Sequence, residues 1–207
     1  TVIPELAGTL ASTDLAAIKK EIKRRKDSKM TAKVTEDRQY RYFDHYLTDN
    51  LANRLVRVDL TTKAVRDLTP QWSRLFTVSG EIDYDLSPDG KSIALTINTT
   101  PPPYQAFPNH DIYLLMVDGS GDMKNVTPEN KADDSSAIFS PDGQVLIFSR
   151  RETPYYSGEF SKLWRYTPAT GKSSPLTEAL DYSIESASFS ADGQTLWITA
   201  EEKGVLP

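Results

Sequence analysis

Three copies of one turn motif, spaced 50 to 53 residues apart, predict an all-β fold of the β-propeller type. Each copy combines a serine, a proline or alanine, an aspartate and a glycine, and an apolar strand follows it. One strand precedes each turn and further strands follow, so that a complete unit has the four antiparallel strands of a propeller blade. The copies are Ser87-Pro88-Asp89-Gly90, Ser140-Pro141-Asp142-Gly143 and Ser190-Ala191-Asp192-Gly193.

We expect each motif to close a β-hairpin, which gives these residues a structural role. Proline presets φ at the first central position of a turn, aspartate accepts hydrogen bonds from the local backbone, and glycine supplies a positive φ. Gly90 and Gly143 are therefore predicted to have positive φ. The strands that follow the glycines are apolar on both faces, which predicts burial between neighbouring sheets. They are Ile93–Leu95, Val145–Phe148 and Leu196–Ile198.

The first 33 residues differ from the repeats and are predicted to contain a short amphipathic helix. Ser12 or Thr13 can cap it, and Leu15, Ile18 and Ile22 fall on one stripe at helical spacing. We interpret its basic polar side as a solvated face, with an anionic partner or a membrane surface as the alternative. The basic residues are Lys19, Lys20, Lys23, Arg24, Arg25 and Lys26.

Residues 34–207 are predicted to form a partial propeller of about three and a half blades. Its first blade is a degenerate copy that contains an aromatic strand, Tyr40–Tyr46, followed by strands at 53–60 and 65–70. Propellers close with roughly four to eight blades, and the last hairpin leaves an open edge, so we expect self-association or a larger parent protein. The predicted blades span approximately 34–70, 80–128, 135–177 and, incomplete, 184–207.

Composition narrows the classes of partner. A net charge of -5 argues against a nucleic-acid-binding protein, and the absence of cysteine excludes disulfides and thiolate sites. No segment approaches the roughly 20 apolar residues that span a bilayer, and we expect no membrane partner.

The repeat resembles a known propeller. The blade pattern has the order Ser-Pro-Asp-Gly, an apolar strand, a strand such as Asp111-Ile112-Tyr113 or Lys162-Leu163-Trp164, and a closing pair such as Leu176-Thr177. This order resembles the propeller shared by prolyl oligopeptidase-type serine peptidases and the periplasmic Tol system. The segment from Tyr40 to Asp49 is similar to one in bacterial dipeptidyl aminopeptidases and acylaminoacyl peptidases.

The resemblance implies a non-catalytic propeller that gates and positions short peptides for a separate C-terminal α/β-hydrolase domain of the same protein. The alternative is a Tol-type or carbohydrate-active binding propeller without a hydrolase domain. Fold alone does not decide between these functions. The compartment stays open between the bacterial periplasm and the cytoplasm.

The chain itself lacks the groups that peptide hydrolysis needs. It contains no Gly-x-Ser-x-Gly elbow for a nucleophilic serine. Its two histidines, His45 and His110, have no recognisable partner motif, and Asp133 and Asp134 are predicted to lie in a loop without metal-ligand spacing. We expect no catalytic residue, no metal site and no cofactor in this chain.

Substrate contacts are predicted at one strand end. Binding of a peptide ammonium needs carboxylates, and four glutamates are plausible by type. The preferred candidates are Arg150, Arg151 and Glu152, which end a buried strand and open the longest loop of their blade. The four glutamates are Glu152, Glu159, Glu201 and Glu202.

Overall fold

The chain forms two compact units, one of residues 1–81 with 100–106 and one of residues 82–99 with 107–207. The domain and blade limits derived from the repeats remain predictions. The computed structural model describes residues 15–29, 32, 41–42, 45–46, 53–70, 72, 75–78, 82–101, 108–156 and 158–201.

The first unit contains the predicted helix, α1, at Leu15–Asp27. Ile18 is buried, but Ile22 is 44% exposed, so the apolar stripe is only partly covered. The proposed caps, Ser12 and Thr13, lie outside the described residues. In the part of the chain that the structure describes, no helix is long and apolar enough to cross a membrane.

The aromatic segment of the first unit is a hairpin and not one strand. β1 (Arg41–Tyr42) and β2 (His45–Tyr46) pair antiparallel, with Tyr42 opposite His45. The prediction of a continuous strand from Tyr40 to Tyr46 was therefore wrong, because this register requires the chain to reverse within two residues. β3 (Val56–Val58) and β4 (Val65–Asp67) form a second antiparallel pair, as predicted.

The second unit contains two four-stranded antiparallel sheets in which each strand pairs with the next along the chain. A two-stranded sheet follows them. This strand order is that of propeller blades. The first sheet consists of β5 (Tyr84–Leu86), β6 (Ser92–Asn98), β7 (His110–Met116) and β8 (Lys124–Asn125). The second consists of β9 (Asp134–Phe139), β10 (Leu146–Arg150), β11 (Lys162–Thr167) and β12 (Lys172–Pro175), and the last of β13 (Ser183–Phe189) and β14 (Leu196–Glu201).

Apolar side chains fill the spaces between neighbouring sheets. Leu146 and Phe148 of β10 pack in one cluster with Ala94 and Ile112 of the preceding sheet, whereas Ile147 packs towards Ile184 of the following one. β10 is thus buried on both faces, as its sequence predicted. For the strand after the third turn the prediction of burial between sheets was wrong, because Trp197 of β14 is 66% exposed and no further sheet is described beyond it. Self-association through this last sheet remains a prediction.

The three turns share one hydrogen-bond pattern. In the second, the Ser140 hydroxyl donates to Oδ1 of Asp142 at 2.6 Å, and the same oxygen accepts from the Gln144 amide at 3.0 Å. The other two turns repeat both bonds. Gly90 and Gly143 have φ of 68° and 70°, which confirms the predicted positive φ.

We expect Gly143→Val to lower the free energy of unfolding by more than about 1 kcal/mol, because valine is disfavoured at positive φ. Gly143→Asn is the matched variant, since asparagine tolerates this conformation better. Urea denaturation of the chain measures both. Equal losses in the two variants would contradict a backbone cause.

We expect the turn aspartates to make the chain sensitive to acid. Hydrogen bonds from the Ser140 hydroxyl and the Gln144 amide hold the pKa of Asp142 below its ordinary value of 3.8. Equivalent hydrogen bonds lower the pKa values of Asp89 and Asp192. Their ionised forms stabilise the fold above about pH 3.8, and this contribution is lost as the pH falls through the lowered folded-state pKa. Urea midpoints should therefore fall less steeply in acid for Asp142→Asn than for the natural chain. An identical acid dependence would show that Asp142 contributes nothing to it.

Candidate functional site

An open cleft of about 580 Å³ lies in the second unit, where the connection between β8 and β9 meets the end of β10. It brings together Arg150 and Glu152, two of the three predicted binding residues, whereas Arg151 is not part of its wall. The charged and aromatic residues of the wall are Glu129, Lys131, Arg150, Glu152 and Trp164.

The guanidinium group of Arg150 is held by hydrogen bonds to two carboxylates and by contacts with two aromatic rings. Its side chain is 4% exposed, and its Nε donates to Oδ1 of Asp134 at 2.7 Å. Nη2 donates to Oδ2 of Asp134 at 3.3 Å and to Oε1 of Glu129 at 3.0 Å. The guanidinium carbon lies 4.3 Å from the ring centre of Trp164 and 5.3 Å from that of Phe148. These contacts fix Arg150 in one position.

The partner of Arg150 is a fully buried carboxylate. Burial raises the pKa of Asp134 to about 7, although hydrogen bonds from Arg150, Thr127 and Asn130 act in the opposite direction. Burial also disfavours the charged form of Arg150, but its hydrogen bonds to Asp134 and Glu129 keep its pKa above the ordinary value. Arg150 therefore stays a cation, and it holds Glu129 at the cleft.

The loop after β10 is organised by a carboxylate. Oε2 of Glu159 accepts hydrogen bonds from the amides of Glu152 and Thr153, at 2.9 and 2.7 Å. The Asn130 side chain donates to the carbonyl of Arg151 at 2.9 Å. Glu159 thus shapes the loop, and Glu152 is the exposed candidate carboxylate at the cleft.

The other two candidate glutamates are not brought to the cleft by the described structure. Glu201 ends β14 and is exposed. Glu202 lies outside the described residues.

Sequence reasoning missed two acidic contacts. Asp134 is the first residue of β9, so the prediction of a loop at this position was wrong. Oδ1 of Asp133 lies 2.6 Å from Nδ1 of His110, and the same oxygen accepts a hydrogen bond from the backbone amide of His110 at 3.2 Å. The histidine therefore has a partner 23 residues away in the sequence, which no local motif signals.

The pair of His110 and Asp133 is not part of a larger group of possible metal ligands among the described residues. In the described ranges, no three His, Asp or Glu side chains are grouped as metal ligands would be. His45 belongs to β2 in the other unit. The cleft combines the fixed guanidinium of Arg150, the exposed carboxylates of Glu129 and Glu152, and the ring of Trp164. This set of groups is suited to binding a ligand.

No family model matches the chain, but sequence comparison finds relatives among the dipeptidyl peptidases. Dipeptidyl-peptidase 5 of Porphyromonas gingivalis is 26% identical over 177 residues, which cover 83% of this chain and 26% of the relative. Dipeptidyl-peptidase 5 of Aspergillus fumigatus is 32% identical over 134 residues, 60% of this chain and 19% of the relative. The chain is homologous to the dipeptidyl-peptidase 5 proteins. It spans about a quarter or less of the length of these relatives.

This homology confirms the resemblance to a peptidase-type propeller, and solved structures confirm the fold class. TolB from Acinetobacter baumannii matches with a TM-score of 0.53 and 23% identity, over 73% of this chain and 33% of that one. An oligogalacturonate lyase in complex with manganese matches with a TM-score of 0.52 and 16% identity, over 77% of this chain and 44% of the other. At these identities the likeness concerns the fold alone.

We expect Asp134→Ala to destabilise the chain by about 3–5 kcal/mol, because it leaves the buried cation of Arg150 without its main partner. Glu129→Gln is the control, since Glu129 is 56% exposed and its ion pair should contribute less than about 1 kcal/mol. Thermal and urea unfolding measure both changes. Similar losses for the two variants would contradict a dominant role of the buried pair.

Proposed function

We propose that this chain is the non-catalytic propeller portion of a serine peptidase that cleaves short peptides. The observation that carries the proposal is the homology with dipeptidyl-peptidase 5 over 83% of the chain. The match includes only 26% of that relative, which leaves room for a separate α/β-hydrolase domain in the parent protein. This sequence contains no Gly-x-Ser-x-Gly elbow, which supports the proposal that the catalytic serine lies in a separate domain.

The propeller would gate access to the hydrolase domain and hold the peptide. In this proposal the cleft receives a positively charged group of the peptide, such as its N-terminal ammonium. Glu152 and Glu129 carry exposed carboxylates at the cleft, whereas Arg150 is a positioning residue whose guanidinium holds Glu129. Arg151 contributes through its backbone, which the Asn130 side chain fixes.

The alternative, a binding propeller without a hydrolase domain, has less support. Its basis would be the likeness to TolB, but that likeness is at 23% identity and concerns the fold. The sequence relatives are dipeptidyl peptidases, which favours the peptidase proposal.

An activity assay tests the proposal. This chain and the full natural gene product that contains it are incubated with chromogenic dipeptides and acyl-amino acids. We expect no turnover by the chain alone, because it lacks the serine elbow, and turnover by the full product that a serine-directed inhibitor abolishes. Inhibitor-sensitive turnover by the chain alone, or an inactive full product, would overturn the proposal.

The cleft is tested in the same full product. Glu152→Gln should raise KM for dipeptides with a free N-terminus more than for acylated substrates, because only the former carry an ammonium. Glu185→Gln is the control, since Glu185 is also exposed but lies on β13. Equal changes in KM for free and acylated substrates would show that the cleft does not bind the ammonium. The proposal that the chain is a peptidase propeller would not be affected by that result.

A further inference from the structure

Helix α1 carries a row of lysines without ionic partners. Lys19, Lys23 and Lys26 follow one another at i, i+4 and i+7 on one side of the helix, over about 10 Å of its axis. These three lysines are exposed, and they form no ion pair with any residue that the structure describes. Lys20 and Lys29 share both properties.

Glu21, one of the two acids in this segment, is hydrogen-bonded to arginines. Glu21 accepts hydrogen bonds from Arg24 at 2.6 and 2.7 Å and from Arg25 at 2.9 Å. The bonds from Arg24 and then Arg25 hold the pKa of Glu21 at about 2, so it stays ionised. Both arginines of the helix therefore bond to Glu21, which forms no ion pair with the described lysines.

Charge is unevenly distributed along the chain. Residues 15–29 contain seven basic and two acidic residues, a net charge of +5, although the whole chain carries -5. The rest of the chain therefore carries -10. An anionic surface would attract the helix and repel the remaining sequence, so binding would be oriented.

We propose that the lysine face of α1, defined by Lys19, Lys23 and Lys26, binds the surface of an anionic phospholipid bilayer together with Lys20 and with Lys29, which lies just beyond the helix. The binding is peripheral, and it replaces the sequence-based expectation of no membrane partner. Clusters of four to eight basic residues on amphipathic helices are typical of such binding. Ile22, 44% exposed on the helix, adds an apolar contact at the interface.

The kind of cation favours lipid over nucleic acid or an acidic protein. Specific recognition of phosphate or carboxylate pairs relies on the bidentate fork of arginine, whereas lysine is a hydrated point charge suited to diffuse attraction. The helix leaves lysines free and uses its arginines internally. The -10 charge of the rest of the chain would also oppose wrapping along a nucleic acid.

Vesicle sedimentation tests the proposal with the full chain. Vesicles of phosphatidylcholine alone are compared with vesicles that also contain phosphatidylglycerol, at about 0.1 M and about 1 M salt, where the Debye length falls from about 10 to 3 Å. We expect binding only to the anionic vesicles and only at the lower salt concentration. The triple variant Lys19→Gln, Lys23→Gln, Lys26→Gln should bind roughly 100-fold more weakly.

The control is a second triple variant with the same change in net charge, Arg66→Gln, Lys91→Gln, Lys172→Gln, at exposed positions outside the helix. It should bind like the natural chain, and circular dichroism checks that both variants keep their folded structure. The proposal is overturned if the anionic vesicles bind no protein, or if both triple variants lose affinity equally. Tighter binding to a DNA duplex or to polyglutamate than to the vesicles, at equal charge concentration, would also overturn it.

Discussion

A hydrogen bond between two blades lies at the point where the strand register of the second blade shifts. Oδ2 of Asp83, just before β5, accepts a hydrogen bond from the Ser136 amide of β9 at 2.8 Å. Ser136 has a φ of 54° and lies where the register between β9 and β10 shifts by one residue. Without that shift Arg150 would face Ser135, but with it Arg150 faces Asp134. The buried ion pair, and with it one wall of the cleft, therefore depends on this register shift, and the two blades are hydrogen-bonded where it occurs.

The local features of the fold were predictable because their causes are local. A turn made of Ser140, Asp142 and Gly143 satisfies its own hydrogen bonds and needs only a positive φ, so its sequence suffices to identify it. The apolar run of β10 likewise predicts burial on both faces. Repetition at a fixed interval then gives the blade architecture, since each four-stranded sheet follows from the one before it.

The candidate site was less predictable because its causes are distant in sequence. Counting from the turn places Arg150 opposite Ser135, and nothing near Arg150 in the sequence signals the register shift in β9 at which Ser136 bonds to Asp83. The contact of His110 with Asp133 likewise joins two blades. Glu152 could be selected by type, but its exposure at the cleft follows from the loop geometry that the Glu159 carboxylate imposes.

The turn motifs of neighbouring blades also lie in contact with one another. A Cβ atom built on Gly143 would lie 3.6 Å from Cδ of Pro88, and one built on Gly193 would lie 3.4 Å from Cδ of Pro141. The proline of one turn therefore lies against the glycine of the next, so each motif meets its neighbours as well as closing its own hairpin. At Gly193 the requirement for glycine comes from its positive φ, because a Cβ there would meet the preceding proline at ordinary van der Waals distance. The glycine is thus required by the hairpin that it closes, while the contact with the preceding turn packs neighbouring blades together.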